Sequence, residues 1–150
     1  ALRAMTAVLR LVLLLSVLVL AAGCGEAATA TWLESARSAD DRASREAFLD
    51  EGVPPGMQPD DARVVRHDVA YQLARELLDG GDAQGAGAIA TEALNEGRAD
   101  DVFTANLFVV RGQALEALGE PVRATLDYHE ALMINETLLE AALAAEGDEE

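Results

Sequence analysis

The sequence predicts an all-helical fold, and three observations carry that prediction. Alanine supplies 30 of the 150 residues while aromatic residues make up only 4%, a mixture that favours helix because alanine is the best helix former and a poor strand former. No stretch alternates apolar and polar residues at period two, as a half-buried strand would. Between residues 59 and 145, apolar positions instead recur every three or four residues, in segments bounded by glycine, proline or acidic residues. At this length the chain can build one modest domain.

The chain opens with a leader. Residues 11–23 carry no charge, follow Arg3 and Arg10, and close on small side chains. A spanning helix needs about 18 to 20 apolar residues, so the run is too short for one, whereas a basic start, a brief apolar stretch and small closing residues describe a secretory signal. A buried helix of the fold fits poorly, because no polar face appears across the run. Translation starts in the Ala1 region or at Met5, since Met5 to Arg10 already makes an adequate basic leader.

The leader ends on Leu20-Ala21-Ala22-Gly23-Cys24, which resembles the bacterial lipobox, where small residues precede a cysteine that receives lipid. Leucine usually stands three places before that cysteine; here Ala21 does, with Leu20 one step earlier. The resemblance implies that residues 1–23 are removed as a lipoprotein signal peptide. Cys24 then carries the acyl chains, with palmitate among them. Gly25, in place of an aspartate, favours the outer membrane over the inner, facing the periplasm. An ordinary signal peptidase could alternatively use Ala27-Ala28-Thr29-Ala30. Cysteine usage agrees with an anchor, since Cys24 is the one thiol of the chain and leaves no internal disulfide to make. Several acyl chains give stable anchorage.

Residues 24–61 read as a lipid-anchored spacer with one loosely docked helix. Trp32, Leu33, Ala36, Ala43, Ala47 and Phe48 could cover only part of a helix face, and an isolated helix of that length is marginal. Residues 52–59 hold three prolines and two glycines and break any helix.

Residues 62–146 are the helical domain. Asp60 or Asp61 caps a helix to about Asp79, ended by Gly80-Gly81; Asp82 caps a second, ended by Gly97. Asp100 or Asp101 starts a third helix, to Leu118, which Gly119 ends. Pro121 then opens a fourth at its first position, to about Ile134. A short fifth segment, about 136–145, carries Leu138, Leu139, Ala142 and Leu143 and would cap the domain before the acidic tail, residues 147–150.

These helices come in matching pairs. Ala74, Leu77, Gly81, Ala86, Ala90, Ala93 and Leu94 keep the same spacing as Gly112, Leu115, Gly119, Ala124, Tyr128, Ala131 and Leu132. This resembles the tetratricopeptide (TPR) repeat, a unit of about 34 residues forming two antiparallel helices. The copies cover about 67–100 and 105–138. The resemblance implies a short solenoid of antiparallel helix pairs. Its small residues let helices cross closely, and Tyr128 fills the space between one pair and the next. Two repeats are fewer than the three or so that usually bury a continuous core, so one end needs a partner or the segment around Trp32 to Phe48.

Composition also excludes functions. The chain has no lysine, so a P-loop cannot be written. Removal of Arg3 and Arg10 leaves nine arginines against 27 acids and moves the formal charge from -16 to -18; such a surface repels phosphate backbones and argues against nucleic acid. His67 and His129 lack metal-ligand spacing and read as surface imidazoles on helices. Gly85-Ala86-Gly87 follows no strand and is no dinucleotide loop. No catalytic residue, metal site or cofactor is expected, and the protein is read as a non-enzyme.

The TPR resemblance implies a peptide-binding groove lined by the first helix of each pair, here Asp68, Tyr71, Arg75, Asn106, Val109, Gln113 and Glu116. Tyr71 and Val109 would take apolar anchors and Arg75 an acidic group. Function is then either a protein-protein interaction adaptor in the bacterial cell envelope, or a structural subunit or self-associating component of a larger envelope assembly. In the second case Leu138, Leu139 and Leu143 would matter more than the groove.

Overall fold

The structure, a computed structural model, describes residues 25–147, and every regular element among them is an α-helix. Residues 1–24, with the expected leader and Cys24, and the last three residues lie outside the described residues. The helices are α1 (residues 25–38), α2 (Arg42–Asp50), α3 (Pro59–Asp79), α4 (Ala83–Glu96), α5 (Val102–Ala117) and α6 (Pro121–Gly147).

Pairs α3/α4 and α5/α6 are built on one turn used twice. Gly81 and Gly119 take φ of 87° and 79°, a region that glycine enters without a Cβ clash. The Asp82 N–H donates to the Leu77 carbonyl at 2.8 Å and the Gly81 N–H to Leu78 at 3.0 Å; Glu120 to Leu115 and Gly119 to Glu116 repeat both bonds at the same lengths. These bonds satisfy carbonyls that a helix end otherwise leaves unpaired. Beyond the first turn, the Asp82 carboxylate accepts from the Gly85 N–H at 2.8 Å, which occupies the space a Gly85 Cβ would need. Beyond the second, Pro121 opens α6. The Asp101 carboxylate caps α5 through the Thr104 N–H at 2.8 Å.

The start of α3 differs from expectation. Pro59 opens the helix after Gln58, which makes no side-chain cap bond. Asp60 and Asp61 lie inside the first turn, where a carboxylate favours the helix dipole, and they do not cap.

Residues 25–50 are not a spacer with a single loose helix. They form α1 and α2, joined around Ala39 and Asp41, and they dock on α3. Trp32 and Phe48 meet with ring centroids 4.8 Å apart; they are 4% and 1% exposed and form one cluster with Ala62 and Val69. Asp41 and Ser44 cap α2 reciprocally, each side chain accepting the other's backbone N–H. Each helix alone offers a thin apolar stripe, but folded against each other and α3 they bury two large aromatics. Such burial contributes about 1.5–3 kcal/mol per side chain.

The C-terminal end also departs from expectation. Between Pro121 and Gly147 there is no internal proline or glycine, and one helix of 27 residues runs through, about 40 Å long at 1.5 Å per residue. No separate capping helix folds back at 136–145. Leu138 is half-buried against the core, and residues 139–146 are exposed.

The main core lies among α3, α4, α5 and α6. Leu73, Leu94, Leu107, Phe108 and Val110 supply bulk, and Ala74, Ala86, Ala90, Ala114 and Ala131 let the helices close on one another. Tyr128 packs within its own pair rather than between pairs: a Cβ on Gly112 would lie 2.5 Å from the Tyr128 Cε1. His67, expected at the surface, is fully buried. Its Nε2–H donates to the Ala93 carbonyl at 3.0 Å, since a carbonyl can only accept, and Nδ1 has no partner. Burial holds the imidazole below its ordinary pKa; the Ala93 bond opposes that in part. His129 is exposed, as expected.

Candidate functional site

Seven residues were predicted to share one face, and α3 and α5 pack directly against each other. On α3, Asp68, Tyr71 and Arg75 fall opposite the buried Ala70, Leu73, Ala74 and Leu77. On α5, Asn106, Val109 and Gln113 hold the equivalent positions, at the edge of the buried Leu107, Val110, Ala114 and Leu115. All six are half-buried, and Glu116 is exposed. Tyr71 and Val109 pack against the core edge. The Arg75 guanidinium donates to Gln113 Oε1 at 3.3 Å and pairs with Asp79 at 3.6 Å, so it bridges the two helices. Gln72 donates to Asp68 at 2.9 Å, and the Tyr128 hydroxyl donates to Glu116 at 2.7 Å. Burial, then the Glu116 acceptor, pushes the Tyr128 phenol up to about 12. Glu116 is thus committed to Tyr128, while Tyr71 and Val109 offer adjacent apolar surface.

Two clefts are lined by α1 and residues 51–56; two others lie where α2, α4 and α6 ride over α3 and α5. One, of about 330 Å³, sits between α2 and α4. Its floor is Leu49, Ala70, Leu73, Ile89 and Ala93, and its rim is Glu46, Asp50, Glu92 and Glu96 with Arg66. Arg66 donates to both carboxylate oxygens of Glu96, at 2.7 and 2.5 Å. That hydrogen bond holds the guanidinium above its ordinary pKa. An apolar floor under three further carboxylates suits an apolar side chain flanked by basic groups. Sequence reasoning missed this cleft, because one wall belongs to α2, which was read as spacer.

A second cleft lies between α4 and α6 over α5, lined by Gly87, Thr91, Arg111, Leu115, Leu118 and Arg123 among others. Arg111 there donates to both oxygens of the buried Asp127, each at 2.7 Å. Arg111 and Arg98 also flank the buried Phe108 ring, at 5.4 and 5.3 Å from its centroid, a favourable cation–π geometry. Asp101 is pushed up by burial, but the Thr104 N–H and Arg63 guanidinium outweigh this and hold it below its ordinary pKa.

The chain matches no protein-family model, no curated protein and no solved structure. Among the described residues, no group of three His, Cys, Asp or Glu side chains is placed to hold a metal ion. No helix among them is long and apolar enough to cross a membrane. The lipidation residue predicted from sequence, Cys24, lies outside the described residues.

Proposed function

We propose that the chain is a non-catalytic protein-protein interaction adaptor of the bacterial cell envelope. Its TPR-like helix pairs are held at the membrane by lipid on Cys24, and its α3/α5 face receives a protein or peptide. The observation that supports this most is the repeat of one half-buried stripe on two adjacent helices, with Tyr71 and Val109 in equivalent places and Arg75 spanning to Gln113. A ligand segment laid across both helices would bury its apolar side chains on Tyr71 and Val109, and the chain's acidic balance favours a basic partner.

Crosslinking and mass spectrometry on native membranes test the reading. A Tyr71→Ala/Val109→Ala variant that keeps its helix content should lose the crosslinked envelope protein. Retention of the same protein would remove this face from consideration. For the anchor, wild-type chain should take up a clickable palmitate and partition to membranes, and Cys24→Ser should do neither.

A second reading, a structural subunit or self-associating component, is favoured by one feature. Leu94, packed between α4 and α5, is 2% exposed, whereas Leu132, its equivalent on α6, is 53% exposed. Among the described residues, nothing covers the outward side of α6.

A further inference from the structure

The outward face of α6 carries Val122, Leu126, Leu132, Met133, Leu139 and Leu143, exposed by 78, 62, 53, 48, 60 and 59%. They lie opposite the side that α6 buries, which holds Ala124, Asp127, Ala131 and Ile134. Six large apolar side chains on one helix are more than scattered surface hydrophobics. Their order along the helix is palindromic. Laid antiparallel on a copy of itself about a two-fold axis between Leu132 and Met133, α6 sets Val122 against Leu143, Leu126 against Leu139 and Leu132 against Met133. His129 then faces Glu136. We infer that this face is the interface of a homodimer whose two α6 helices pack antiparallel in this register.

Palindromic spacing selects the partner, a second copy, and charge selects the register despite the chain's acidic balance. The exposed acids Glu130, Glu136 and Glu140 meet Asn135, His129 and Thr125 of the partner copy, so no exposed carboxylate of the overlap faces another, in a chain of formal charge -16. Sliding the copies by seven residues one way would put His129 against His129. Sliding them the other way would put Glu136 against Glu136. A two-fold interface uses each contact twice, so the palindrome supplies two copies of every pair and two His129–Glu136 hydrogen bonds. The overlap from Val122 to Leu143 is about 33 Å of helix at 1.5 Å per residue.

The inference gives the second functional reading its surface and needs neither the lipid nor the α3/α5 face. Full-length chains carrying different tags, one with Leu126→Cys and the other with Leu139→Cys, are co-expressed and treated in membranes with a short bis-maleimide. The mixed pair should crosslink at least several-fold above either chain alone and above chains with only Cys24. Adding Leu132→Glu/Met133→Glu, at exposed sites that leave the helix intact, should cut the crosslink by more than about tenfold. H129E should weaken it, and H129E/E136R should restore it. Absence of the mixed crosslink, preferential pairing of Leu126→Cys with itself, or failure of H129E/E136R to rescue would overturn the assignment. Tyr71→Ala/Val109→Ala should leave the crosslink unchanged, so failure here and failure of the adaptor reading are separate results.

Discussion

Pair α3/α4 and pair α5/α6 share a turn, bond for bond, yet fill their equivalent positions with different chemistry. Leu73 and Ile89 in the first pair correspond to Arg111 and Asp127 in the second. Ala74 and Ala90 correspond to Gly112 and Tyr128. In both cases two residues have changed together, and the second pair stays packed: the Arg111–Asp127 pair is doubly hydrogen-bonded, and Tyr128 fills the space that Gly112 leaves. The third contrast, Leu94 against Leu132, involves no change of residue. Only the neighbour differs, since α4 has α5 beside it and, among the described residues, no further helix lies beyond α6. Backbone turns follow local sequence, whereas burial follows what docks next.

The largest break in this comparison should come from separating the buried ions. Asp127→Ala leaves the 18% exposed Arg111 side chain without its partner and should cost about 3 kcal/mol in urea denaturation. Copying the first pair with Arg111→Leu/Asp127→Ile should return the chain to wild-type stability or above, because a well-packed apolar pair often equals or exceeds a buried ion pair. Gly112→Ala comes next. Its new Cβ meets the Tyr128 ring, so it should cost about 1–3 kcal/mol. Tyr128→Ala in the same chain recreates the Ala74/Ala90 combination and should recover part of the loss, which a double-mutant cycle would register as coupling.

The smallest expected effect is a pH dependence confined to the first pair. His67 titrates lower in the fold than its ordinary value of about 6.5. Between those two values the unfolded chain binds the proton that the folded one excludes. The contribution of neutral His67 is therefore complete above the ordinary value and is lost as pH falls toward the folded one. Thermal melts should show Tm falling from pH 7 toward pH 5, and His67→Gln, which keeps an N–H near the Ala93 carbonyl, should flatten that slope.

Helix ends were legible because they depend on local backbone chemistry: Gly81, Gly97, Gly119, Asp82, Asp101 and Pro121 all stand where the sequence placed them. The face of Tyr71, Arg75, Val109 and Gln113 was named only through the resemblance to the TPR repeat; in the structure these four are half-buried on α3 and α5, with Arg75 reaching Gln113. What the sequence hid was long-range. Trp32 and Phe48 are buried only because α1 and α2 fold together and meet Ala62 and Val69 on α3. The acidic-rimmed cleft needs that same docking. His67 is buried by contacts spread over α3 and α4. The expected separate cap at 136–145 fails because nothing in Asn135-Glu136 interrupts a helix.

Burial decided by docking order is tested most directly by two leucine truncations compared side by side in urea, at protein concentrations low enough to keep the α6 face open. Leu94→Ala should cost about 2–5 kcal/mol, as for a buried leucine, while Leu132→Ala should stay within about 0.5 kcal/mol of wild type. Equal costs at the two positions would contradict the account.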